Sequence, residues 1–210
     1  MNYISEQQWI DWVDNLSLDD YLIIDEFISD TLYDKIKVFL LDKLQEDAFA
    51  KAGIGALAAH QVNSEIRTDF VYWLDKVRDT ALEELFDLII TFKSKLNELC
   101  FLSLGGYEFH LAHYPKGSFY KKHLDQFKGR NNRLITLIIY FNDQWEPGDG
   151  GELRIFREGK SELVVAPIAR RAVIFKSNII EHEVLMANKS RYSLTGWLLY
   201  QPTSVGYLLG

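Results

Sequence analysis

The chain has 210 residues, 48% hydrophobic and 25% charged, enough to bury a core in an ordinary globular protein. A formal charge of −7 argues against nonspecific nucleic-acid binding, and no apolar run reaches transmembrane length, so neither nucleic acid nor membrane is expected as a partner. The single cysteine, Cys100, excludes an intramolecular disulfide, and the acidic opening segment MNYISEQQWIDWVDNLS lacks the apolar core of a signal peptide; both point to the cytoplasm.

The first half reads helical with one early strand. Trp9 and Trp12 lie in the N-terminal helical region, as anchors for a dimer or, more simply, packed on their own domain. YLIIDEFI (21–28) is short, apolar and β-branched, and reads as a strand. Ser29 or Asp30 can cap a following helix in which Leu32, Ile36, Phe39, Leu40 and Leu44 recur at helical spacing. The small, polar and glycine-containing stretch 52–65 reads as a loop. Leu82, Leu85, Phe86, Ile89, Phe92, Leu96 and Leu99 then mark a long amphipathic helix over 75–99.

From Gly105 the pattern changes. Short β-rich runs alternate with turns: 107–114, 118–124, 133–142, 151–157, 162–166, 171–176, 180–186 and 190–200, with PGDGG (147–151) as a clear turn. The expected architecture is mainly β with supporting α, a sandwich or barrel. Residues 1–210 read as one domain, with a helical support region over 1–104, a β core over 105–200 and a tail over 201–210.

Side-chain alternation divides the longer strands into two faces. In 190–200, Arg191, Ser193, Thr195 and Trp197 share one face, and Tyr192, Leu194, Leu198 and Tyr200 the other. In 133–142, Leu134, Thr136, Ile138 and Tyr140 oppose Arg133, Ile135, Leu137, Ile139 and Phe141. The apolar faces are expected to meet the helices. The mixed faces, which carry Arg191, Trp197 and Tyr140, are expected to line a cavity.

The stretch FYKKHLDQF (119–127) places His123 and Asp125 two residues apart, so an imidazole and a carboxylate point to one side of an extended chain. Alone, that triplet is weak. A third ligand is available in His182, and Arg191 follows nine residues later. Two histidines and one carboxylate on one face of a metal form the facial triad of non-haem Fe(II) oxygenases, and a buried arginine could hold a dicarboxylate. Lys116, Lys121, Lys122, Lys128, Arg130 and Arg133 cluster around this motif, as a solvated loop face or as a rim that attracts an acidic substrate or cosubstrate.

HYPKGSFYKKHLD (113–125), RLITLIIYFNDQW (133–145), GGELRIF (150–156), IEHEV (180–184) and RYSLTGW (191–197), preceded by IRTDFVYWLD (66–75), occur in an order that resembles the Fe(II)/2-oxoglutarate-dependent oxygenases of the prolyl 4-hydroxylase type. Within that family the chain looks most like the hypoxia-sensing prolyl hydroxylases and their bacterial relatives. The resemblance implies a double-stranded β-helix (jelly-roll, cupin-like) core buttressed by N-terminal helices. It implies His123, Asp125 and His182 as iron ligands. Arg191 would pair with the distal carboxylate of 2-oxoglutarate, supported by Tyr140, with Tyr114 near the chelating end and Thr195 as a further contact. Trp197 and Arg133 would stand at the substrate entrance, with Asp69 and Trp73 on the segment that borders it. The cofactors implied are Fe(II), 2-oxoglutarate and O2, with ascorbate as a candidate reductant. The reaction implied is hydroxylation of a proline in a peptide or protein, with release of succinate and CO2.

Plainer readings exist for single residues. Tyr140 could be a core tyrosine, Arg191 a surface ion-pair partner, Trp197 pure packing, and Arg67 with Asp69 a solvated loop pair. His110 shares strand parity with Tyr114 at a position where the family tends to be apolar, and reads as a structural histidine or an extra polar contact; His60 and His113 read as loop and outer-face residues. Two alternative functions also stand: the same oxygenase chemistry on a small molecule or another side chain, and a non-enzymatic β-barrel binding module.

Overall fold

The computed structural model describes residues 4–53, 63–126 and 131–201. Most of the expected loop 52–65, including His60, lies outside the described residues, as do Lys128, Arg130 and nearly all of the tail.

Helix α1 (Glu6–Asp19) begins at Ser5, whose hydroxyl accepts the Gln8 amide while the Gln8 side chain accepts the Ser5 amide, a reciprocal cap. Helix α2 (Asp30–Gln45) is capped by Ser29, whose hydroxyl accepts the Leu32 N–H at 3.2 Å. Helix α3 runs from Glu83 to Cys100, eight residues later than the sequence pattern suggests. The cause lies in two aspartates. The Asp75 carboxylate accepts the Val77 and Arg78 amides, and the Asp79 carboxylate takes the Asp75 amide, the Tyr72 hydroxyl and Arg78. These local bonds hold 75–79 in a turn that competes with the helical ladder, and a short 3-10 turn at Thr80–Leu82 then leads into α3.

The strands are β1 (Tyr21–Ile24), β2 (Ala50–Lys51), β3 (Phe70–Trp73), β4 (Leu104–Tyr114), β5 (Tyr120–His123), β6 (Arg133–Tyr140), β7 (Leu153–Phe156), β8 (Leu163–Val165), β9 (Ala172–Lys176), β10 (Glu181–Val184) and β11 (Arg191–Tyr200). Strands β2 and β3 were not evident from alternation alone. Among the described residues the strands form a seven-stranded sheet, β1-β9-β6-β11-β4-β3-β2, and a four-stranded sheet, β5-β10-β7-β8, with antiparallel pairing throughout. This is the expected two-sheet β core with helical support.

Each face of the larger sheet has its own core. Leu111, Leu137, Ile139, Leu194 and Leu198 meet the helices, where Trp9 is buried against Trp12 and Phe92. Trp9 is therefore packed on its own chain. Ile138, Tyr140 and Phe175 face the smaller sheet and pack with Leu153, Ile155 and Val184. The alternation expected from sequence holds except at one end of β6. There Leu198 pairs with Ile135 but Leu199 pairs with Arg133, so Leu134 is an extra residue. This bulge sends Leu134 to the helix-side core and swings Arg133 to the inner face, the reverse of what strict alternation assigns.

Gly196, in the middle of β11, faces Phe109 on β4. A Cβ there would overlap the Phe109 ring and the Glu108 carbonyl oxygen. Gly196→Ala should destabilise the fold by roughly 1–3 kcal/mol, as overpacking does, read as a lower denaturant midpoint with unchanged slope.

Candidate active site

His123 and His182 are cross-strand partners in the β5–β10 pair, and their rings lie 4.3 Å apart. Asp125, just past the end of β5, turns back between them. Its Oδ1 is 3.5 Å from His123 Nε2 and its Oδ2 is 3.8 Å from His182 Nε2. One ligand atom from each residue falls within a 4.8 Å cluster. The tautomers follow from the backbone. His123 Nδ1 lies 2.7 Å from the Lys121 carbonyl and His182 Nδ1 lies 3.1 Å from the Ile180 carbonyl. A carbonyl oxygen can only accept, so each Nδ1 carries the proton and each Nε2 presents its lone pair to the cluster.

Asp125 is held from behind. The Thr136 hydroxyl donates to Oδ2 at 2.7 Å and, its one proton spent, accepts from Ser177 Oγ at 2.9 Å. Burial would raise the Asp125 carboxyl pKa, but His182, His123 and the Thr136 hydroxyl outweigh it and hold the group well below the usual range. Burial, with His123 beside it, pushes His182 down to about 4, so its imidazole is neutral near pH 7. On the far side of His123, Tyr120 stacks on the ring at 3.6 Å, and the Arg67 guanidinium stacks on Tyr120 at 4.3 Å. Arg67 is locked by two bonds to Asp69, at 2.8 and 2.6 Å. Asp69 is fully buried, which rules out a solvated loop pair.

Across from them, on the inner face of the larger sheet, the buried Arg191 guanidinium lies between the Tyr114 and Tyr140 rings, at 4.7 and 5.0 Å from their centres. Its Nε donates to the Gly151 carbonyl at 2.9 Å, and Nη1 donates to Ser193 Oγ, which lies 3.2 Å away and 3.3 Å from Thr195 Oγ1. Gly151 sits at φ 75° and a Cβ there would meet Arg191 Cδ at 2.9 Å, so both backbone and space require glycine. Among the described residues no carboxylate reaches Arg191. The buried Tyr140 hydroxyl has no hydrogen-bond partner. A buried cation without a counter-charge is costly unless an anion is meant to join it.

The outer end of this face is aromatic. Trp197 is buried beneath the Arg133 guanidinium at 3.4 Å, and Arg133 is held by Glu108 at 2.7 Å. Trp73, 44% exposed, approaches Trp197 at 6.2 Å and His110 at 4.8 Å. His110 is buried and, through burial with Arg67 nearby, pushed down to about 3. His113 lies outside this group, stacked on Tyr192 and 3.2 Å from Ser190 Oγ.

Residues 109–199 match the model of the 2OG-Fe(II) oxygenase superfamily. The human prolyl hydroxylase EGLN3 is 30% identical over 191 residues, covering 86% of this chain and 76% of that protein. The chain belongs to the prolyl hydroxylase family of 2OG-Fe(II) oxygenases. Rat Egl nine homolog 1 is 32% identical over 155 residues, 68% of this chain but 45% of that protein, so the chain spans less than half of that relative. A Pseudomonas putida prolyl-4-hydroxylase superposes with a TM-score of 0.84 at 30% identity, covering 92% of this chain and 99% of that one. A Trichoplax adhaerens prolyl hydroxylase, solved with a hypoxia inducible factor oxygen degradation domain peptide, gives 0.82 at 25% identity, with coverage of 92% and 90%.

Prolyl hydroxylases of this superfamily need Fe(II), 2-oxoglutarate and O2, and the residues present fit those groups. Two imidazole nitrogens with free lone pairs and one ionised carboxylate are the donor set for non-haem Fe(II). Arg191 and the unpartnered Tyr140 hydroxyl suit a carboxylate. His123 and His182 on the smaller sheet, Asp125 just past β5, and Arg191, Tyr140, Tyr114, Thr195, Trp197 and Arg133 on the larger sheet meet between the two sheets, and Trp73 borders the group. Asp69 reaches it only through Arg67. Sequence reasoning gave no role to Thr136, Ser177, Tyr120 or Gly151. Thr136 was detectable, since it shares strand parity with Tyr140; Ser177 and Gly151 lie on loops whose approach no local pattern encodes.

Thr136→Val keeps the shape but removes the bond to Asp125. Fe(II) affinity should fall at least about tenfold, the usual cost of losing such a support, as read by anaerobic metal titration.

Proposed function

We propose that this chain is an Fe(II)- and 2-oxoglutarate-dependent dioxygenase that hydroxylates a prolyl residue in a peptide or protein, releasing succinate and CO2. The observation that carries the reading is the placement, between the two sheets, of a His123–Asp125–His182 cluster and a buried Arg191 that no described carboxylate reaches. Bound iron would supply O2 activation and two-electron oxidation of 2-oxoglutarate and substrate. The chain's own part is to hold and to exclude. His123, Asp125 and His182 would bind the metal. Arg191 would grip the far carboxylate of 2-oxoglutarate, with Tyr140 donating its hydroxyl and Thr195 close by through Ser193. Tyr114, buried beside Arg191, would close the chelating end from water.

The peptide substrate is supported by the names of the relatives and by the aromatic rim. The half-exposed Trp73, backed by the buried Trp197 on which Arg133 stacks, offers a flat surface suited to a proline ring. The border segment that carries Trp73 is fixed through the Asp69–Arg67 pair. Cys100 is a free thiol, which favours a reducing compartment, and we place the protein in the cytoplasm. Among the described residues no helix is long and apolar enough to cross a membrane.

The test is succinate formation by anaerobically Fe(II)-loaded protein given 2-oxoglutarate, O2 and ascorbate, with and without a panel of proline-containing peptides. Succinate should rise with one peptide, and that peptide should gain the mass of one oxygen atom. His123→Ala should give no succinate because metal is lost. Arg191→Ala should retain metal and raise KM for 2-oxoglutarate by about 10–100-fold, the scale of lost charged hydrogen bonds. Folded, iron-loaded protein that never forms succinate would sink the oxygenase reading.

A further inference from the structure

The rim contains two buried polar atoms that the reaction above does not use. His110 Nδ1 and Trp197 Nε1 both lack a hydrogen-bond partner. The two residues are 3% and 6% exposed, and their rings lie 5.6 Å apart. They sit on adjacent strands: His110 pairs with Thr195, and Trp197 lies two residues on along β11. Trp73 closes the third side of the group. Each such buried orphan leaves the fold with an uncompensated desolvation cost, so two together are conspicuous unless something meets them. Their chemistry is complementary. An indole N–H only donates. The His110 ring is neutral, so with its proton on Nε2 its Nδ1 accepts.

We infer that His110 and Trp197 form a subsite for the backbone of the substrate, taking the N–H and C=O of a peptide residue beside the reacting one. The peptide N–H donates to His110 Nδ1 and the peptide C=O accepts from Trp197 Nε1. Proline has no N–H, so the residue read in this way is a neighbour. The inference rests on the peptide reading proposed above. It makes His110, unlike the apolar residue the family resemblance leads one to expect there, a residue that sets how firmly this enzyme holds its peptide.

Two variants test it. His110→Leu keeps an apolar filler and removes the acceptor; His110→Asn places an amide oxygen near the position of Nδ1. With a peptide that the wild type hydroxylates, His110→Leu should raise peptide KM by roughly tenfold, while KM for 2-oxoglutarate moves less than twofold and Fe(II) affinity holds. His110→Asn should recover most of the peptide KM. Without peptide, His110→Leu should melt at or above the wild-type temperature, because an unmet polar atom has been removed. Unchanged peptide KM in both variants overturns the subsite and leaves at most a bridging water. A lower melting temperature in His110→Leu, with KM for both substrates shifted alike, overturns it as a structural histidine. If the wild type forms succinate but modifies no peptide in a broad proline library, the peptide reading fails first and the subsite falls with it.

Discussion

An ionised carboxylate buried among protein atoms is driven to take up a proton unless neighbours oppose it. Asp125 is in that position, and the arrangement around it answers that constraint. A hydroxyl chain from Ser177 through Thr136 donates to it from behind, while in front of it the two imidazoles turn their lone-pair nitrogens to the same centre. The backbone carbonyls of Lys121 and Ile180 set the tautomers that make this possible. Two nitrogen lone pairs aimed at a carboxylate repel it, so the cluster is best satisfied by a cation at its centre. The metal thus completes an arrangement that the backbone has already oriented.

The same frame explains how distant parts of the chain meet. Strand β11 lies between β4 and β6, so Arg191, Tyr114, Tyr140 and Thr136 come to one face by register alone. The opposite face of these strands is packed on α1, α2 and α3 through an unbroken apolar core. That asymmetry is functional. A well-packed outer face, which among the described residues holds no unpartnered buried polar atom, lets the inner face carry charges and orphaned polar groups that would otherwise destabilise the sheet.

Much of this was legible in the chain. Alternation in 190–200 placed Arg191 and Trp197 together, and the spacing of His123, Asp125 and His182 drew attention to the metal-binding set. The failures have physical causes. The bulge at Leu134 inverts the assignment of Arg133, because one extra residue exchanges the two faces of a strand and its register is a property of the partner strand. The start of α3 was misplaced because the Asp75 and Asp79 carboxylates claim amides that a hydrophobic pattern would give to a helix. Strands β2 and β3 are two and four residues long; β3 exists through pairing to β4 and β2 through pairing to β3, which local periodicity does not encode.

The distribution of unmet polar atoms carries the argument one step further. Among the described residues, the buried side-chain atoms without a partner are His110 Nδ1, Tyr140 Oη, Trp197 Nε1 and Arg154 Nε. The last still lies 3.5 Å from Glu162 in an ion pair. The other three all belong to residues on the inner face of the larger sheet, the face that carries Arg191, and none lies in the helix-side core. A fold that satisfies its polar groups elsewhere but leaves them open here is carrying instability where ligands can remove it. The groups even sort by ligand: Tyr140 beside Arg191 for a carboxylate, His110 and Trp197 at the aromatic rim for a peptide. Cosubstrate and substrate should therefore each stabilise the protein by meeting a different set of atoms.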